Sequence, residues 1–141
     1  IPLSHAIVSS LEIPVYALFD ADSGFEIRAR TNGKAEDKIQ EEKRAHISAN
    51  RTLLRYFSLP ETDFPNAIVG DHVAILDDHL ESFMSEKWNE WVVACKQVED
   101  ESEISLSKNS LAYRTATLKA EGVVPEMLMQ ILSKVKGHSH E

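Results

Sequence analysis

Apolar residues at Leu80, Phe83, Met84, Trp88, Trp91, Val92, Cys95 and Val98 recur every three or four positions and predict an amphipathic helix. Trp88 and Trp91 share that stripe with aliphatic residues, so they are expected as core anchors rather than as platforms for stacked bases. From Ala35 to Phe57 the pattern is again helical but sparser. Ile39, Ile47, Leu53, Leu54 and Phe57 form a thin stripe among alternating Glu and Lys/Arg, which predicts a long helix with one wet face. Leu3, Ala6, Ile7, Val8 and Leu11 predict a short helix behind Pro2. Near the C-terminus, Ser107-Lys108-Asn109-Ser110 offers capping residues for a helix over about Leu111 to Glu121. Gly122 ends it, and Pro125 opens a last helix through Met127, Leu128, Ile131, Leu132 and Val135.

The strand signals are short. Val15 to Phe19 is β-branched and aromatic, is bounded by Pro14 and Gly24, and predicts a buried parallel strand. Ala67 to Val69 and His72 to Leu76 are two more candidates, joined by Gly70-Asp71. Ser23 to Lys34, with two glycines, is expected to be a loop, and Glu99 to Glu103 an acidic loop. The fold class is therefore α/β: a Rossmann-like parallel sheet flanked by helices, with a helical C-terminal part. A helix leading into a strand across a short link is the second half of a βαβ unit, so a first strand is expected upstream of Ile1 and the sheet is incomplete at its N-terminus. Residues 1–104 are expected to form the core, 105–137 a helical segment of the same domain, and 138–141 a disordered tail.

The totals suit one domain: 141 residues, 43% hydrophobic and 27% charged. Cys95 is the single cysteine and falls in a helical apolar stripe, so disulfide and cysteine-zinc chemistry are excluded and inert packing is expected. No apolar run reaches the roughly eighteen residues of a membrane span, and no basic-then-apolar leader is present, so a cytoplasmic protein without a membrane partner is expected. The net charge of -8 hides an uneven distribution. Between Arg28 and Arg55 the balance is +4, from Glu61 to Glu103 it is -10, and from Leu106 to Gly137 it is +3. Basic stretches thus flank an acidic one, as around a metal centre bordered by phosphate-binding surface, although ordinary charged helix faces give the same pattern. The absence of a Gly-x-x-x-x-Gly-Lys-Ser/Thr loop argues against nucleotide binding by this segment, and no Gly-x-Ser-x-Gly or His-Glu-x-x-His motif appears.

Candidate chemistry gathers at strand ends. Asp20 and Asp22 follow the first strand, on the edge where ligands bind in open α/β sheets, and can aim at one hard cation. Asp77, Asp78 and Glu81 follow a later strand, with Asp78 and Glu81 on one face of a first helical turn. If both strands are parallel in one sheet, the carboxylates meet at one edge and repel unless cations lie between them. Such a set suits two Mg²⁺ or Mn²⁺ ions that hydrolyse a phosphodiester, with Lys108 neutralising charge at phosphorus. Turn formation at Asp20 and Asp22, and helix capping worth about 0.3–1 kcal/mol at Asp77, Asp78 and Glu81, explain the same residues without a metal.

The ordered runs IPVYALFDADSG, NRTLLRYF, DDHLESF and SKNSLAYRTA, the last ahead of a proline-started helix, resemble the C-terminal part of the Toprim nuclease domain of OLD-family (overcoming lysogenization defect) ATP-dependent endonucleases. Gabija-type phage-defence nucleases carry a similar domain. The resemblance implies a Toprim-like fold and Mg²⁺- or Mn²⁺-dependent DNA cleavage. It also implies an ATPase domain in the same polypeptide and homo-oligomerisation through that domain. Carried over by position, Asp20, Asp22, Asp78 and Glu81 are metal ligands, Asp20, Asp22 and Lys108 serve catalysis, and Arg28, Arg30, Lys34 and Lys38 are expected along the DNA. Two departures stand out: no glutamate before Asp20 can serve as the first-strand glutamate of Toprim domains, and Asn109 rather than proline follows Lys108. Weak cutting, or none, is therefore expected of this segment alone. Two other readings stay open. A haloacid-dehalogenase-like phosphatase also carries Asp-x-Asp after its first strand, and a non-catalytic Toprim-like module would dock or dimerise through an exposed sheet edge.

Overall fold

Val73-Ala74-Ile75-Leu76 is the axis of the sheet, and none of these four residues is more than 5% exposed. In the computed structural model, which describes residues 2–102, 105–106 and 109–137, this strand, β3 (Val73–Leu76), lies between β1 (Ala17–Asp20) and β2 (Ile68–Val69). β1 runs parallel to β3, with Ala17 opposite Val73 and Asp20 opposite Leu76. β2 runs antiparallel to it. The sheet of the described residues is therefore mixed, where a parallel one was expected. The link from Val69 to Val73 is a tight turn, closed by Gly70 N–H on the Val73 carbonyl at 2.8 Å. A parallel crossover needs about a dozen residues, so so short a link permits only a hairpin.

The helices are α1 (Pro2–Ser10), α2 (Phe25–Thr31), α3 (Glu36–Tyr56), α4 (Leu80–Lys87), α5 (Asn89–Ser102), α6 (Ser110–Lys119) and α7 (Glu126–Gly137). No helix among the described residues is long and apolar enough to cross a membrane. The chain divides into two compact units, Ile1–Leu80 with Met129–Glu141, and Glu81–Leu128.

In the first unit, Leu53 and Leu54 of α3, with Phe57 just past its end, pack on Ala17, Phe19, Val73 and Ile75, the alternate positions that share one sheet face. α3 ends in a Schellman motif. Ser58 takes φ 55° and donates to the Arg55 carbonyl at 3.1 Å, Leu59 N–H reaches the Leu54 carbonyl at 2.8 Å, and both leucines enter the same core. The expected loop over Ser23 to Lys34 contains a helix instead, α2. Its two glycines are boundary residues rather than loop residues. Gly24 precedes the first turn, and Gly33, at φ 73°, lets Lys34 N–H close on the Ala29 carbonyl at 3.0 Å. Phe25 and Ala29, four apart, bury this helix against Ile39 of α3.

The second unit is built on α5 and α6. Met84, Trp88, Trp91, Ala94, Cys95, Val98, Leu106, Ala112 and Ala116 form its core, with both tryptophans inside as expected. The single helix expected over Leu80 to Val98 is interrupted at Trp88, and α5 continues to Ser102 through the stretch expected as an acidic loop. Lys119 pairs with Glu101 and Leu106 N–H donates to Glu99 Oε1 at 3.0 Å, so these acids are held as helix side chains. Asn109 caps α6, accepting from Ala112 N–H at 3.1 Å. α5 and α6 share one core.

Candidate metal and phosphate site

Because β1 and β3 are parallel and in register, the chain leaves both strands at the same edge of the sheet. The pairing runs on past them: Ala21 N–H donates to the Leu76 carbonyl at 2.8 Å and Ser23 N–H to that of Asp77 at 3.0 Å. Asp20 ends β1 with its side chain exposed. Ala21 is fully buried, and Asp22 takes φ 53°, a left-handed conformation that aspartate tolerates better than most residues. The turn brings the Asp22 carboxylate toward that of Asp78.

Between them lies Arg28, from the second turn of α2. Nη2 meets Asp22 Oδ1 at 3.1 Å, and Nη1 pairs with Asp78 Oδ2. Gly24 N–H also donates to Asp78 Oδ1 at 3.3 Å. A Cβ on Gly24 would stand 2.5 Å from Asp78 Oδ2 and 2.7 Å from Arg28 Nη1, so the bridge is built against a bare backbone. On its other side Asp22 Oδ2 is 3.5 Å from Nδ1 of His46, whose ring lies 4.5 Å from that of Phe25. Burial first, then the charge of Asp20, pushes the Asp22 carboxyl above its ordinary range, against the pull of His46 and Arg28. For Asp78 burial acts the same way but is outweighed. The Arg28 hydrogen bond and charge, with the His79 and Gly24 N–H groups, hold its carboxyl below the ordinary range.

The other expected site residues fall as follows. Asp77 accepts from Asp78 N–H at 3.1 Å. Asp78 lies ahead of α4 rather than on its first turn, with its carboxylate engaged by Gly24 and Arg28. Glu81 is on α4 in the second unit, where its charge helps raise the Tyr113 phenol after burial has done so. Lys108 lies outside the described residues. Of the basic residues expected along DNA, Arg28 serves the aspartates. Arg30 meets Glu26 and Glu36, each at 3.0 Å, Lys34 meets Glu42 at 2.8 Å, and Lys38 meets Glu41 at 2.9 Å. These last pairs are exposed, so exchanging a carboxylate for a phosphate costs little.

Sequence spacing alone does not mark His46 and Asn50 as site residues, nor Arg28 as a partner of the acids. Their signal was present in α3: Ile39, Lys43, His46, Asn50 and Leu54 are three or four apart and share one face, on which polar residues interrupt the apolar stripe. Asn50 Nδ2 donates to the Ala21 carbonyl, between the two aspartates of Asp-x-Asp.

Hard oxygen donors suit Mg²⁺ or Mn²⁺, and the guanidinium is a stand-in cation on which Asp22 and Asp78 already converge. The pair fits one hard divalent ion in chemistry. A larger ligand set is not assembled: among the described residues no three His, Cys, Asp or Glu side chains form a metal-binding group. Compared with known proteins, the chain matches no family model, no curated protein and no solved structure.

Proposed function

We propose that this chain is a Toprim-like, divalent-metal-dependent DNA endonuclease or nickase segment of an OLD-type protein, acting in the cytoplasm beside an ATPase domain. What supports the reading is one observation. Parallel pairing of β1 with β3 brings the acidic exits of two strands, Asp20 to Asp22 and Asp78, to one sheet edge, around a positive charge. A hard divalent ion bound there supplies Lewis-acid activation of water and of the phosphodiester oxygens. The chain's own residues do the rest. Asp22 and Asp78 offer oxygens, Gly24 N–H orients Asp78, and Asn50 fixes the backbone of the turn. Arg30, Lys34 and Lys38, on exposed exchangeable pairs, give the DNA backbone its counter-charges.

A supercoiled plasmid incubated with Mg²⁺ or Mn²⁺ tests this. Slow nicking by the intact chain, abolished by Asp22→Asn and by Asp78→Asn, is the expected result. Nicking that survives both substitutions, or turnover of a small phosphomonoester instead of DNA, overturns it.

A further inference from the structure

We infer that Arg28 is a built-in counter-ion that holds the place of a divalent cation between Asp22 and Asp78, so that metal binding there requires Arg28 to swing out. The inference rests on the metal reading above and adds to it an exchange within the site. The guanidinium does not grip one carboxylate with both nitrogens, the usual side-on geometry. It spends one nitrogen on each aspartate and so spans the gap between them. A cation shared by both carboxylates has to occupy that same gap.

Arginine stays protonated at every working pH, so Arg28 cannot leave by losing its charge. It leaves only when another cation takes the aspartates, or when an anion takes the guanidinium. At 32% exposure, on a short helix beside exposed Arg30, the side chain can turn outward to meet a phosphate. Divalent ion and phosphate backbone therefore help one another bind, and the coupling is reciprocal. An empty site keeps its aspartates neutralised and is poorly available to metal until DNA is present.

The test is titration of the full chain with MnCl₂, followed calorimetrically and by loss of the free-Mn²⁺ magnetic-resonance signal, without DNA. Arg28→Gln is expected to bind Mn²⁺ roughly tenfold more tightly than wild type, and Arg28→Lys, whose single nitrogen cannot span both carboxylates, to fall between. Asp22→Asn is expected to lose the site in either background. A duplex oligonucleotide is expected to tighten Mn²⁺ binding to wild type and not to Arg28→Gln. Equal affinity of wild type and Arg28→Gln, with the site still lost in Asp22→Asn, overturns the counter-ion and leaves the metal reading intact. No binding by either protein overturns both. In wild type, the Arg28 guanidinium resonances are expected to pass from hindered to free rotation as Mg²⁺ saturates the site; unchanged resonances at saturation overturn the inference even if the variants fail to fold.

Discussion

Asn50 on α3 donates from Nδ2 to the carbonyl of Ala21 at 3.0 Å, and the same amide reaches the carbonyl of Asp63 at 2.9 Å. It is 3% exposed, a polar side chain in an interior that is otherwise apolar among the described residues. Ala21 separates the two aspartates of Asp-x-Asp, so this contact ties the turn that carries them to the longest helix. Asn50→Leu keeps the volume but leaves two carbonyls without a donor, and is expected to cost roughly 1–3 kcal/mol. Urea unfolding measures this. A midpoint equal to that of wild type would mean that the amide holds nothing in place.

The parts of the fold that a single sequence could disclose were those written in local periodicity. The α3 and α5 stripes, the Asn109 cap and the strands at Phe19 and Ile75 all follow from spacing and residue type within one element. α2 was hidden because Gly24 and Gly33, which bound it, carry the same signature as loop glycines, and because a helix of seven residues offers a single buried pair, Phe25 and Ala29. The antiparallel pairing of β2 follows from the length of a turn, which the pattern contained. Placing Asp20 to Asp22 and Asp78 on one edge needed only that β1 and β3 be parallel. The Arg28 bridge needed the third dimension: its partners lie six and fifty residues away, and its charge counted equally well toward a DNA-facing surface.

Arg30 links α2 to the start of α3 by holding Glu26 and Glu36 together. The Arg30 hydrogen bond, then that of Gln40, brings the Glu36 carboxyl down from 4.5 to about 2. A folded-state pKa below the unfolded value stabilises the protein at pH above the unfolded value, and that contribution is lost as pH falls through the folded one. The Glu36 contribution is thus complete above about pH 4.5 and gone near pH 2. Its carboxyl carbon shift is expected to titrate with a midpoint well below that of an ordinary glutamate, and Arg30→Gln to move the midpoint back up. A Glu36 midpoint that ignores Arg30→Gln would remove this ion pair as a link between the two helices, leaving the packing of Phe25 and Ala29 on Ile39.

Trp88 is 5% exposed in the core of the second unit, and its indole Nε1 donates to the Glu121 carbonyl at 2.8 Å. The two contributions separate by substitution. Trp88→Ala removes the whole ring from a packed core and is expected to cost about 3–5 kcal/mol. Trp88→Phe keeps most of the apolar contact and gives up one hydrogen bond to a residue exposed enough for water to replace the donor, so it is expected to cost about 1 kcal/mol. Trp91, stacked on Tyr113 with ring centroids 5.8 Å apart, remains as the fluorescent reporter for unfolding in both variants. Comparable losses for alanine and phenylalanine would mean that the indole N–H, rather than the buried ring, fixes this part of the core.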